Sequence, residues 1–238
     1  MRRFFLSQQE LNSGVFGGDE FNHMRKVLRM QEGDQFIAIT GDQYDYLCKI
    51  KKLNKDTAEF QVITKEVNVA NPQINITIVQ ALCKSDKLEF ITQKATEIGA
   101  TTLVPIYLKN CDVKQNTGKL SRLQKIAISA SKQCKRSTIL NIEDCITINE
   151  LNDKLKDYDM TIFANERERE RGVFDTILKV NKPKKIAVII GPEGGFTDEE
   201  INKIIDMGAI SVSFGKRILR TETAGLYAIS ILADYYKV

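Results

Sequence analysis

The sequence predicts an α/β fold on a mostly parallel sheet, preceded by a small β-rich domain. Three observations predict it. Apolar strands alternate with helical stretches from Ile74 onward, which implies parallel strands with helices on both faces. Residues 1–68 instead carry closely spaced, β-branched and aromatic segments joined by turns, the pattern of a small barrel. Asn71-Pro72 marks the change between the two patterns.

In the N-terminal part, 35–39, 44–50 and 57–63 read as strands, and Gly33-Asp34, Gly41-Asp42 and Asn54-Lys55-Asp56 supply turns. Only Asp19 to Met30 reads as helical there. Downstream, strands are expected at 74–82, 102–107, 138–142, 160–164, 185–190 and 210–214. Helices are expected at 86–98, 119–134, 147–156, 172–180, 198–207 and 223–236. Asp86 with Glu89 fits an N-terminal cap, Gly99 a C-terminal cap, and Thr197 with Glu200 a capping box. The expected domains are 1–70 and 71–238.

The chain has 238 residues and a formal net charge of +4. Residues 1–72 hold ten basic and ten acidic side chains, so the excess lies entirely downstream. Basic surface in the N-terminal domain must come from clustering, with Arg2, Arg3, Arg25, Lys26 and Arg29 as candidates. No apolar run approaches the roughly 20 residues of a membrane span. The apolar stretch after Arg2-Arg3 is too short for a signal peptide, so a cytoplasmic location and no membrane partner are expected. The five cysteines form no CxxC pair and His23 is the only histidine; no metal site is expected.

Two loops stand out. Gly191-Pro192-Glu193-Gly194-Gly195-Phe196-Thr197 follows the apolar run Lys185–Ile190, which reads as a central buried strand. Its glycines allow a ligand to approach the main chain. Glu193 has no obvious packing role. The second loop, Lys216-Arg217-Ile218-Leu219-Arg220-Thr221-Glu222-Thr223-Ala224, places an apolar pair inside a basic segment that opens a helix. Thr221 or Thr223 can cap that helix, with Glu222 favourable in its first turn. Loops at the carboxyl ends of parallel strands build ligand sites. Neither loop is a Walker motif or a GxGxxG turn, and the first carries an acid where phosphate would disfavour one, so neither a nucleoside triphosphate nor a dinucleotide is expected.

Gly191-Pro192-Glu193-Gly194-Gly195 followed by Arg217-Ile218-Leu219-Arg220-Thr221-Glu222-Thr223-Ala224 closely resembles the SPOUT class of methyltransferases. Within it the chain is similar to the RsmE family, which methylates N3 of a uridine in 16S (small-subunit) ribosomal RNA. Arg3-Phe4-Phe5, His23–Arg29, Lys94–Gly99 and Gln133–Arg136 extend the likeness along the whole chain. It departs from the family at Lys132, where an acid is frequent, and at Leu140, where proline is frequent.

The resemblance implies a trefoil-knot methyltransferase domain with a parallel sheet, a PUA-like RNA-binding β-barrel before it, S-adenosylmethionine as cofactor, and a homodimer. Ile218-Leu219 would then be interior to the knot. It also implies that Gly191, Glu193, Gly194, Gly195, Phe214, Leu219, Thr223 and Ala224 hold the cofactor. Arg220 would stabilise charge on the uracil, with Glu222 or Glu193 taking its proton or orienting Arg220. Arg2, Arg3, Arg25, Lys26 and Arg29 would contact RNA phosphates. The competing expectations are a SPOUT enzyme acting on another RNA atom, and a non-catalytic RNA-binding module.

Overall fold

A computed structural model describes residues 1–113, 120–180 and 183–236. It divides into two compact units. One is Met1–Asn71 with Ser131–Ile139; the other is Pro72–Ala130 with Leu140–Val238.

The first unit is a five-stranded sheet of β1 (Arg3–Phe5), β2 (Val15–Gly17), β3 (Gln35–Ile39), β4 (Tyr44–Leu53) and β5 (Thr57–Val67) in the order β1-β3-β4-β5-β2. β1 runs parallel to β3 and the other ladders are antiparallel. Phe4 on one edge strand and Phe16 on the other have ring centroids 6.2 Å apart, and both pack on Phe36. The edges therefore curl toward each other around an aromatic core, making the expected barrel a half-barrel. Register shifts at Leu47/Cys48 and Ile50/Lys52 in the β4–β5 ladder add to the bend.

The helix read over Asp19–Met30 is α2 (Gly18–Asn22) followed by a π-helical turn, His23–Val27. A second helix, α1 (Gln8–Ser13), was not expected. Ser7 and Glu10 form its capping box, and Gly14 ends it at φ 69°.

The second unit is a parallel sheet of β6 (Asn75–Ala81), β7 (Thr102–Tyr107), β8 (Asn141–Ile142), β10 (Met160–Ala164), β11 (Lys185–Ile190) and β12 (Ile210–Val212). Their order is β12-β10-β11-β6-β7-β8, and β9 (Ile146–Thr147) also pairs with β7. The helices are α3 (Ser85–Ile98), α4 (Leu120–Cys134), α5 (Ile148–Leu155), α6 (Val173–Ile177), α7 (Asp198–Asp206) and α8 (Thr221–Tyr236). Residue 119 of the helix expected over 119–134 lies outside the described residues.

Both sheet faces are covered, as predicted. Val79, Ala81, Val104, Ala187 and Ile189 pack with Leu151 and Leu155 of α5 and Ile204 of α7. On the other face α8 packs along α3. There Gly225 of α8 faces β6 and β11, where an added Cβ would meet Gln80 Oε1 at 3.4 Å and Ile190 Cγ1 at 3.5 Å, ordinary contact distances.

Several local expectations fail: the helix over 172–180 shortens to Val173–Ile177 and the strand over 210–214 to Ile210–Val212. The strand over 138–142 shrinks to Asn141–Ile142. Its first residues are drawn into the N-terminal unit, where Asn71 Oδ1 accepts the N–H groups of Ser137 and Thr138 (2.8 and 3.0 Å). Asn68 Nδ2 also donates to Lys135 O at 2.8 Å. Asp86 does not cap α3: the N-cap is Lys84, without a side-chain cap bond, although Gly99 ends the helix at φ 117° as predicted.

Candidate active site

Because β12, β10, β11 and β6 are adjacent and parallel, their carboxyl ends deliver their loops to one edge of the sheet. The loops after β10, β11 and β12 meet there. With Lys87 of α3 they line a cavity of about 380 Å³.

The loop after β11 is shaped by its glycines. A Cβ on Gly191 would stand 2.8 Å from the Phe196 ring, and one on Gly194 would stand 2.9 Å from Asn110 Cβ. Gly195 has φ +70° and closes a turn by donating to Pro192 O at 2.9 Å. Asn110 Nδ2 donates to the carbonyls of Gly194 and Gly195 (3.2 and 3.0 Å). The loop then enters α7 through the predicted capping box of Thr197 and Glu200.

The loop after β12 is tied to its neighbours. Thr221 Oγ1 donates to Gly191 O at 2.7 Å and accepts from Gln80 Nε2 at 2.8 Å. Its hydroxyl thus spans β6, α8 and the β11 loop. The loop after β10 is held by Asn165 N–H to Val212 O (3.1 Å) and by Ser213 N–H to Arg171 O (2.7 Å).

Of the predicted cofactor residues, Gly191, Glu193, Gly195, Phe214, Leu219 and Ala224 line the cavity. Gly194 does not, because it faces Asn110. Thr223 does not either: it is exposed, and its N–H closes the first turn of α8 on Arg220 O at 2.9 Å. Phe214 is half-buried with its ring 5.4 Å from that of Tyr227. The interior position expected for Ile218 is wrong. Its side chain is 82% exposed on the cavity rim while Leu219 is half-buried.

The two acids behave differently from expectation as well. Neither engages Arg220. Lys87 Nζ lies 2.9 Å from Glu193 Oε1 and 3.5 Å from Glu222 Oε2. Burial pushes the Glu193 carboxyl up, but hydrogen bonds from Lys87 and from its own backbone N–H, with the charges of Lys87 and Lys84, outweigh it and hold the group below its ordinary value. Lys87 is raised, chiefly by its hydrogen bond to Glu193. Arg220 is exposed on the cavity wall and has no carboxylate partner among the described residues. Lys87, Gln80 and Asn110 were missed in the sequence, since they lie 84 to 141 positions from the loop residues they hold.

In the N-terminal unit Arg2, Arg25, Lys26 and Arg29 are exposed. Arg3 is not available in the same way. Its side chain is 9% exposed and its guanidinium is bound to Asp45, with Ser137 Oγ at 3.2 Å. Among the described residues no group of three His, Cys, Asp or Glu is placed to hold a metal ion, and no helix is long and apolar enough to cross a membrane.

Residues 70–233 match the RNA methyltransferase domain family, and residues 16–63 the RNA methyltransferase PUA domain family. Ribosomal RNA small subunit methyltransferase E of Bacillus subtilis (strain 168) is 32% identical, covering 98% of this chain and 96% of that protein. The same-named protein of Mesomycoplasma hyopneumoniae (strain 232) is 30% identical, covering 97% and 98%. Among solved structures, ribosomal RNA small subunit methyltransferase E from Neisseria gonorrhoeae bound to S-adenosyl methionine superposes with a TM-score of 0.87, 28% identity and 99% and 98% coverage. A probable rRNA-methyltransferase from Porphyromonas gingivalis gives a TM-score of 0.88 at 27% identity, covering 100% and 99%.

The half-barrel, the parallel sheet and the loop-built cavity are those of an S-adenosylmethionine-dependent rRNA methyltransferase of the SPOUT, trefoil-knot class with a PUA-like N-terminal domain. Within that class the chain belongs to the RsmE family. The cavity suits the cofactor. Its volume is that of a small-molecule site. Its wall carries backbone at Gly191 and Gly195 and the aromatic rings of Phe196 and Phe214, suited to a nucleoside.

Proposed function

We propose that this enzyme methylates N3 of one uridine in 16S ribosomal RNA, as a cytoplasmic homodimer, and that Arg220 is its principal catalytic side chain. S-adenosylmethionine supplies a sulfonium-bound methyl group already activated for nucleophilic attack. The chain's task is to position the uracil and manage its charge. N3 must lose a proton as it attacks, and negative charge spreads onto the flanking carbonyl oxygens. Arg220, a cation on the cavity wall with no carboxylate partner among the described residues, stands ready to stabilise that charge. The observation that carries the reading is this unpaired cation on the cavity wall two residues before Glu222, the acid that Lys87 holds together with Glu193.

Glu193, which lines the cavity, and Glu222, paired with the same lysine, are the candidates to take the proton, and Lys87 holds both in place. Gly191, Glu193, Gly195, Phe214, Leu219 and Ala224 would hold the cofactor, with the ionised Glu193 facing its sulfonium charge and Gly194 and Thr223 shaping the loops behind them. Arg2, Arg25, Lys26 and Arg29 on the 1–70 domain would contact RNA phosphates, and Arg3 would brace that surface from below. The half-exposed Tyr227 and Tyr235 on α8 leave an aromatic face suited to a second subunit. Light scattering should give twice the chain mass.

Mass spectrometry of ribosomal RNA nucleosides from a strain lacking the gene tests the assignment. Loss of 3-methyluridine, restored by the intact gene, is expected. Its persistence at the usual level, with another methylated nucleoside missing, would move the reaction to a different RNA atom.

A further inference from the structure

Six basic side chains line the cavity, against two carboxylates, Glu166 and Glu193. Two of the six are paired: Lys87 with Glu193 and Glu222, and Arg167 with Asp198. Arg169, Lys216, Arg217 and Arg220 are exposed and have no carboxylate partner among the described residues.

They come from two loops that are fixed side by side. Ser213 N–H donates to Arg171 O at 2.7 Å, Asn165 Nδ2 donates to Ser211 Oγ at 3.0 Å, and Gly172 forms a bridge with Ser213. Within the first loop the Glu168 carboxylate accepts the N–H groups of Arg169, Glu170 and Arg171 at 3.0 to 3.2 Å, which sets the backbone that presents Arg169. Four like charges are thus gathered at one mouth. Such clustering costs self-repulsion that an anion would relieve.

We propose that Arg169, Lys216 and Arg217, beside Arg220, form a phosphate-binding rim on the α/β unit itself. The rim grips the RNA backbone on either side of the target nucleotide, separately from the basic residues of the N-terminal unit. The inference rests on the RNA-methylation reading. The cofactor carries one carboxylate and so answers at most one of the four cations; it also brings a sulfonium of its own. The substrate must be splayed out of its stack for its N3 edge to enter the cavity. That movement carries the flanking phosphates to the cavity mouth, where the rim stands. Phosphate contacts of this kind set position without reading sequence.

The test uses the full chain with Arg169→Gln, Lys216→Gln and Arg217→Gln combined, leaving Arg220 intact. Methyl transfer to small ribosomal subunits from a methylation-deficient strain is followed across a salt series. Cofactor affinity is measured by calorimetry with S-adenosylmethionine. The rim predicts a KM for subunits raised tenfold or more, kcat within twofold of the parent, and an unchanged cofactor affinity. The slope of log KM against log salt should fall by about 2, near 0.7 for each lost contact to single-stranded RNA. An unchanged KM and slope would overturn the proposal. So would a tenfold loss of cofactor affinity, which would assign these cations to the cofactor. If the triple variant does not fold, Arg169→Gln and Lys216→Gln singly must each lower the slope by about 0.7. A parent enzyme that transfers no methyl group to the subunits would defeat the underlying reading, and that is seen before any variant is made.

Discussion

Lys87 sits in the first turn of α3 and bridges carboxylates from two other segments, Glu193 after β11 and Glu222 at the start of α8. Glu222 Oε2 is buried and accepts no hydrogen bond, so Lys87 supplies its nearest compensating charge. Replacing Lys87 with methionine leaves burial as the main influence on Glu193, and its pKa should rise. In the parent protein that pKa is depressed, so the pair's contribution is complete above the ordinary carboxylate value and fades as pH falls through the lowered one. Cofactor affinity should therefore weaken at a higher pH in Lys87→Met than in the parent, and Lys87→Arg should largely restore the parent profile. Superimposable pH profiles would show that Lys87 does not hold these acids. Arg220→Ala tests the other charge. Methyl transfer should drop about 10²–10³-fold, as when a donor to developing negative charge is removed, while calorimetry gives a nearly unchanged affinity for S-adenosylmethionine. Unchanged transfer would remove Arg220 from the mechanism.

At the level of elements, α7 does more than pack. Glu200 is buried, and its Oε2 accepts the Thr197 N–H at 2.9 Å while its Oε1 accepts the Lys109 N–H at 2.8 Å. Lys109 adjoins Asn110, which holds Gly194 and Gly195. One carboxylate thus caps a helix and anchors the segment that braces the cofactor loop. Glu200→Ala removes two charge-assisted hydrogen bonds and should cost about 2–3 kcal/mol of stability, read from urea unfolding. It should also weaken cofactor binding, whereas Thr197→Ala, which loses only the cap, should cost about 1 kcal/mol. Equal effects of the two on cofactor affinity would refute the bracing role. The Thr197–Glu200 box was legible because its partners are three residues apart, and the strands were legible because buried parallel strands are continuous apolar runs. Ser7 and Glu10 carried the same signal for α1 but sat in a polar stretch with no apolar period to draw attention to it. The link from Glu200 to Lys109 spans 91 positions, and no local pattern encodes it. The outward turn of Ile218 was hidden for a related reason: sequence gives a loop's composition, whereas the direction of a side chain follows from backbone anchored elsewhere, here by Thr221 on Gly191 and Gln80.

Over the whole molecule, each compact unit holds one deeply buried thiol. Cys48 lies in the N-terminal unit at 0% exposure, and Cys83 in the α/β unit at 4%. Burial pushes both up to about 12, so at pH 8 both are almost wholly protonated as well as covered. A disulfide reagent at pH 8 should spare these two in the folded protein and modify the half-buried Cys134 and Cys145 first. Their protection then reports the unfolding of each unit separately. The units share helix α4, which begins at Leu120 in the α/β unit and ends in the N-terminal unit, where Ser131 is fully buried and Lys132 pairs with Glu20 at 2.6 Å. Unfolding the N-terminal unit strips the last turn from α4 and releases the segment that Asn68 and Asn71 hold. Helical segments shorten at a cost because propagation is cooperative. Cys48 and Cys83 should therefore become reactive over the same range of denaturant. Labelling of Cys48 well before Cys83, followed by peptide mass spectrometry, would show instead that the half-barrel unfolds alone and that α4 frays at Ser131 without consequence for the sheet that carries the site.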